Sequence, residues 1–133
     1  MIVHSRGRKE DLAMTYRDLI RRIKDAASAD DDSSQDALEL VVENVAAHLT
    51  DQTRRDFAAA LPDELQSAAQ MVPTASHIDE SIIEQLMDLE DVDEKSARTR
   101  IKAAWQALCD IFDSREVDDI TAELPRRVVA ALE

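Results

Sequence analysis

One glycine, Gly7, stands in a chain of 133 residues, and only three prolines accompany it. Hairpins put Gly, Asn-Gly or Asp-Gly where φ must be positive, so a β-rich fold would have no turn chemistry to draw on. The same shortage excludes the phosphate-cradling glycine loop, the dinucleotide fingerprint and the nucleophile elbow, which all need glycine for close backbone approach. Helix is what remains. Apolar residues recur at its spacing: Tyr16, Leu19, Ile20 and Ile23 form one stripe, Leu38, Val42, Val45 and Leu49 a second, and Phe57, Leu61 and Leu65 a third. Between the first two lies ASADDDSSQD, Ala27 to Asp36, read as a polar loop whose Asp and Ser residues can cap the next helix.

The second half repeats this order with a shift of 63. Leu19 then meets Ile82, Ile20 meets Ile83, Ile23 meets Leu86, Leu38 meets Ile101, Val42 meets Trp105, Val45 meets Leu108, Leu49 meets Phe112 and Phe57 meets Ile120. Agreement at buried-type positions, with surface residues free to differ, is the mark of an internal duplication. Start signals recur as well, with cap-then-acid spacing at Ser76 and Asp79 and again at Asp113 and Glu116. Leu61-Pro62 and Leu124-Pro125 keep the same register, and each proline should end one short helix and open another. Asp63 and Glu64 favour the start of that new helix, whereas Arg126 and Arg127 oppose it.

The expected fold is therefore all-α: a compact helical bundle of two homologous repeats, each of two long helices and a Pro-kinked pair of short ones. Residues 1–13 lack a clean period and read as a flexible leader, with Met14 as a candidate natural start. Residues 14–133 form the expected single domain, with repeat one over 14–72 and repeat two over 77–133.

Sixteen basic against 29 acidic residues leave a net charge of −13, which disfavours a general nucleic-acid binder. Yet residues 1–24 hold seven basic groups against three acids. On the first helix Arg17, Arg21 and Lys24 follow i, i+4, i+7, with Arg22 beside them. This stripe is the candidate interaction surface. It is a solvated face paired with Asp18 and Asp25, or a dock for an acidic partner, a second copy or nucleic acid.

The doubled A-x-x-L-P, each time after a polar turn and an apolar-periodic helix, carries a family likeness. YRDLIRRI, SSQDALELVVENVAAHL and TDQTRRDFAAALPDEL in the first half answer SIIEQL, KSARTRIKAAWQALCDIF and DSREVDDITAELPRRV in the second. Over residues 16–132 this text resembles the prokaryotic domain-of-unknown-function family numbered 2267. It departs from that pattern in lacking glycines after the first helix and aromatics after Leu-Pro. The resemblance implies an all-helical fold, no known catalysis and no active site to carry over.

The residues name no chemistry of their own. A di-iron bundle needs Glu-x-x-His, but Val45 and Thr74 stand three before His48 and His77, so His48 reads as a surface or boundary residue. Asp30 to Asp32 and the stretch Glu90 to Glu94 lack the spaced ligands and glycine of a calcium loop and read as solvated loops. Cys109 cannot form an internal disulfide, and its neighbour Asp110 opposes a thiolate; it reads as a packed, unreactive thiol in a reducing compartment. Trp105 is an interface anchor or, through its match to Val42, a core residue. No run reaches the roughly 20 apolar residues of a membrane span. The expectation is a cytoplasmic, non-enzymatic protein–protein interaction module, self-associating or bound to another protein, with no cofactor, metal or membrane. The alternatives are a nucleic-acid accessory protein using the basic stripe, and a ligand- or metal-dependent enzyme.

Overall fold

The computed structural model describes residues 15–70 and 81–133. The leader over 1–13, Met14, His77, Ile78 and the start signal at Ser76 and Asp79 lie outside the described residues. Within them the regular structure is entirely helical: α1 (Tyr16–Ala27), α2 (Asp31–Ala47), α3 (Asp51–Ala60), α4 (Asp63–Gln70), α5 (Ile82–Glu90), α6 (Glu94–Cys109), α7 (Ser114–Ala122) and α8 (Arg126–Leu132).

Local chemistry sets the ends. Thr15 and Asp18 form a capping box on α1, Ser81 and Glu84 on α5, and Asp113 and Glu116 on α7, as the spacing of the last pair predicts. Helices α1 and α5 both stop at a residue in the left-handed region, Ser28 (φ 54°) and Asp91 (φ 55°), 63 positions apart. With no glycine available, these short polar residues take the turn that glycine takes in most proteins. At the Leu-Pro steps Leu61 is extended, α3 ends at Ala60 and α4 begins at Asp63; Pro125 (φ −60°) likewise stands before α8. The kinks fall where proline's missing N–H requires them.

One expectation needs correction. The stretch Ala27 to Asp36 is a loop only over residues 28–30, because Asp30 caps the Ser33 N–H at 2.8 Å and α2 starts at Asp31. Asp31 and Asp32 then sit in the first turn, where the helix dipole favours their charge.

Helices α1, α2, α5 and α6 pack against one another as the central bundle. Leu19, Ile23, Leu38, Val42, Val45, Leu86, Ile101 and Leu108 are fully enclosed there. Trp105 is buried too, as its match to Val42 predicts. Arm α3–α4 folds back so that α4 lies on α2 and α1; arm α7–α8 does the same with α8 on α6 and α5. The leading helices of the two arms, α3 and α7, touch each other, and their meeting point is the place of interest.

Candidate functional site

Where α3 meets α7, Phe57 and Phe112 stack with ring centroids 5.5 Å apart and an interplanar angle of 14°. Both rings are buried, and with Ile120 they make the floor of a cavity of about 420 Å³. Asp56, Glu116 and Asp119, all exposed, stand at its rim, while Ala59 and Ala60 leave one wall low. Among the described residues no basic side chain lines it. Asp56 accepts a hydrogen bond from Gln52 Nε2 at 3.0 Å, and Glu116 accepts one from the Asp113 N–H at 3.0 Å in the α7 cap. Among the described residues Asp119 has no hydrogen bond or ion pair.

The lining residues pair off at the 63-residue shift: Thr53 with Glu116, Asp56 with Asp119, Phe57 with Ile120. One pair breaks the pattern. Ala60 corresponds to Glu123, whose carboxylate accepts from the Thr50 N–H at 2.7 Å, from Thr53 Oγ1 at 2.7 Å and from Thr50 Oγ1 at 3.3 Å. Burial pushes the Glu123 carboxyl up, but these hydrogen bonds outweigh it and hold the group below its ordinary range. Thr50 is the N-cap of α3 and makes no side-chain cap bond itself, so α3 borrows its cap from the end of α7. Helix α7 carries its own capping box and needs no acid from α3. Position 60 is alanine, and the groove opens there.

A second polar cluster lies where the start of α2 meets the end of α5. Ser33 Oγ donates to Glu90 Oε1 at 2.6 Å and accepts from Arg100 at 3.3 Å, and the Arg100 guanidinium stands 3.9 Å from Glu90. The Glu90 carboxyl also shares a hydrogen bond with Asp36. That bond, then burial, then the charges of Glu90, Glu39 and Asp32 push Asp36 up to about 7, while the bonds from Asp36 and Ser33 hold Glu90 down. When the pair carries one proton, Asp36 rather than Glu90 holds it. Glu90 is thus no member of a solvated loop, contrary to expectation: its side chain is 15% exposed because Ser33 and Arg100 close over it.

The model of the uncharacterized conserved protein family DUF2267 matches residues 16–131. The chain belongs to the DUF2267 family. No curated protein matches it, and no solved structure does.

In this DUF2267 chain the four basic residues singled out by spacing have different surroundings. Arg22 is bonded to Asp110 at the end of α6, and Lys24 Nζ pairs with Asp31 Oδ1 of α2 at 2.8 Å, so two of the charges have partners outside α1. Neither uses the predicted partners Asp18 and Asp25; Asp18 closes the α1 capping box instead. Arg17 and Arg21 are exposed and have no ion pair among the described residues. Asp30 is a helix cap, and His48 Nδ1 lies 2.8 Å from the Asn44 carbonyl oxygen in a helical turn. Burial, then the charges of Asp110 and Glu133, push the Cys109 thiol up to about 11, far from a thiolate nucleophile at neutral pH.

Neither the groove nor the proton pair was reached from sequence. A usable signal existed: the charged residues Glu90, Arg100 and Glu123 correspond, 63 positions earlier, to Ala27, Ala37 and Ala60.

Proposed function

We propose that this DUF2267 protein is a non-catalytic protein-interaction module that receives its partner in the α3/α7 groove. The observation that supports it is the groove itself: an apolar floor of Phe57, Phe112 and Ile120 under a rim of carboxylates, at a size of about 420 Å³ that falls within the range of ligand sites. Buried aromatic anchors ringed by polar groups are where interfaces concentrate their binding energy. We read the two halves as copies of one unit, with the groove at the place where the copies stopped being equivalent. The lone thiol suits a reducing compartment, and we place the module in a prokaryotic cytoplasm.

The rival use of the basic stripe on α1 loses support because Arg22 and Lys24 are already engaged. Two remaining cations would give only a shallow salt dependence to phosphate binding.

Ala60 is exposed on α3 at the groove wall, so Ala60→Trp fills the opening without entering the core. Affinity capture from a nuclease-treated lysate of the source organism should retain a stoichiometric protein with the wild type and at least ten-fold less with A60W. Equal retention by A60W would remove the groove from consideration. Capture that vanishes with nuclease and with R17E/R21E would favour the nucleic-acid reading instead.

A further inference from the structure

A second cavity, of about 400 Å³, lies between α1 and α6, lined by Ala26, Ala103, Ala107, Arg22, Gln106 and Asp110 among others. Ala103 and Ala107 are 6% and 3% exposed and set its depth, whereas Ala26, Arg22 and Gln106 are exposed and are what a visitor touches. At the 63-residue shift its counterpart is the α2/α5 seam, where Leu40, Asn44 and Leu89 replace Ala103, Ala107 and Ala26. Asn44 and Gln85 tie that seam by exchanging amide hydrogen bonds of 3.2 and 3.1 Å. Leu89 stands outside it, 58% exposed, the one large apolar side chain so exposed among the described residues. We infer that the Leu89 edge of one copy of this chain docks in the α1/α6 groove of a second copy, head to tail.

Size and charge both select a second copy. Where the seam carries leucine at two positions the groove carries alanine, so its room suits a side chain such as Leu89. Seating that exposed leucine there takes apolar surface out of water. The neighbouring helix faces carry opposite charge. On α6, Lys95, Thr99, Lys102 and Gln106 follow i, i+4, i+7, i+11 along one face; on α2 the same four positions are Asp32, Asp36, Glu39 and Glu43. Lys95 and Lys102 have no ion pair among the described residues. Crowding of like charge is already felt on α2, where burial and then the Glu39 charge push the Glu43 carboxyl up. Lysines from a second copy relieve that repulsion. An unrelated basic partner would answer the α2 face and leave the alanine groove empty, whereas a second copy answers both. The contact uses neither α3 nor α7, so it is independent of the groove reading above.

One leucine and a few ion pairs make a small contact, so the association is weak and is sought at high concentration. Sedimentation of the full chain is followed from about 10 µM to about 1 mM at about 0.15 M salt, where a Debye length of about 8 Å screens the net charge but not pairs in contact. The expected result is an average mass that climbs with concentration, since a head-to-tail contact leaves a free groove at one end and a free leucine at the other. Leu89→Ser and Ala26→Trp alter exposed positions, so both variants should keep their unfolding midpoints, and each alone should associate at least about ten-fold more weakly. K95E/K102E should weaken the contact about ten-fold as well. Mixing is the sharper test: L89S keeps the groove and A26W keeps the leucine, so together they should form a heterodimer that grows no further. A wild type that stays monomeric throughout, undiminished association in any of the three variants, or a mixture without the heterodimer would overturn the inference.

Discussion

Position 123 holds a glutamate that ties α7 to α3; position 60, its counterpart 63 residues earlier, holds an alanine beside an open groove. The helices at the two places share a similar length, a Leu-Pro ending and a buried stripe. They differ in how their starts are capped. Because α7 satisfies its own first turn with Asp113 and Glu116, nothing has to reach across from α3. Because α3 begins with Thr50 and has Thr53 where α7 has Glu116, it draws Glu123 across the interface. One capping difference thus goes with a clasp on one side of the α3/α7 contact and an open groove on the other.

The most disruptive way to break this comparison is to remove the floor that both sides share. Phe57 is 1% exposed and stacked on Phe112, so Phe57→Ala leaves a cavity under the clasp and the groove alike. By analogy with other large-to-small core changes the cost should be about 3–5 kcal/mol. Urea denaturation would measure it, and a loss below about 1 kcal/mol would mean that the α3/α7 contact contributes little to folding.

The clasp itself is tested more finely. Glu123→Ala removes the acceptor for the Thr50 N–H and for two hydroxyls, and should cost about 1–2 kcal/mol. If capping is the reason, adding Thr53→Glu should recover much of the loss, since Thr50 and the carboxylate introduced three residues later would then form the local box that α7 already has. A double variant no more stable than E123A would show that the clasp acts by joining helices rather than by finishing α3.

What the sequence revealed and what it hid follow the same division. Stripes such as Leu38, Val42 and Val45, the breaks at Pro62 and Pro125, and the cap at Asp113 are written within four residues of one another, and helical geometry converts such spacings directly into structure. Clasp and proton pair depend on partners far apart: Thr50 and Glu123 are separated by 73 residues, Ser33 and Glu90 by 57, Arg22 and Asp110 by 88. No periodicity carries that information. The partners of Arg22 and Lys24 were hidden for the same reason, since they lie outside α1. Even the short helical start at Asp31 was hidden by composition, because its acidic and hydroxyl residues look like a loop until one knows that Ser33 and Ser34 are buried.

The α2/α5 junction offers a second pair of unequal counterparts. Asp36, Glu90 and Arg100 correspond to Thr99, Ala27 and Ala37, so the proton-holding cluster exists once. An aspartate in the unfolded chain titrates near 3.9. With Asp36 pushed up to about 7, the folded chain holds a proton through that interval that the unfolded chain has released. The stabilisation from Asp36 is then complete below about pH 4, declines as pH rises and is lost above about 7. Glu90, held down, contributes in the opposite sense: its share is present above its unfolded value of about 4.3 and fades as pH falls. Between roughly pH 5 and 7 the Asp36 effect governs. A full proton would give about 1.4 kcal/mol per pH unit, and at this partly exposed site the slope should be under half of that. Asp36→Asn keeps a donor for Glu90 without a titrating group, so unfolding midpoints across pH 5–8 should flatten in the variant; an unchanged slope would place the titration elsewhere.

The smallest expected effect concerns two adjacent serines. Ser33 donates to Glu90 and accepts from Arg100, whereas the hydroxyl of Ser34 is fully buried and has no hydrogen-bond partner among the described residues. Its counterpart is Ala97, equally buried. A hydroxyl enclosed without a partner costs desolvation and returns nothing, so Ser34→Ala should stabilise by about 0.5–1 kcal/mol, while Ser33→Ala should destabilise by a similar or larger amount because Glu90 loses a donor. Thermal unfolding of the two variants decides it by sign alone. A destabilising S34A would mean that its hydroxyl is satisfied in solution by a bound water or a shifted rotamer, and that the first half keeps a polar contact which the second half has exchanged for packing.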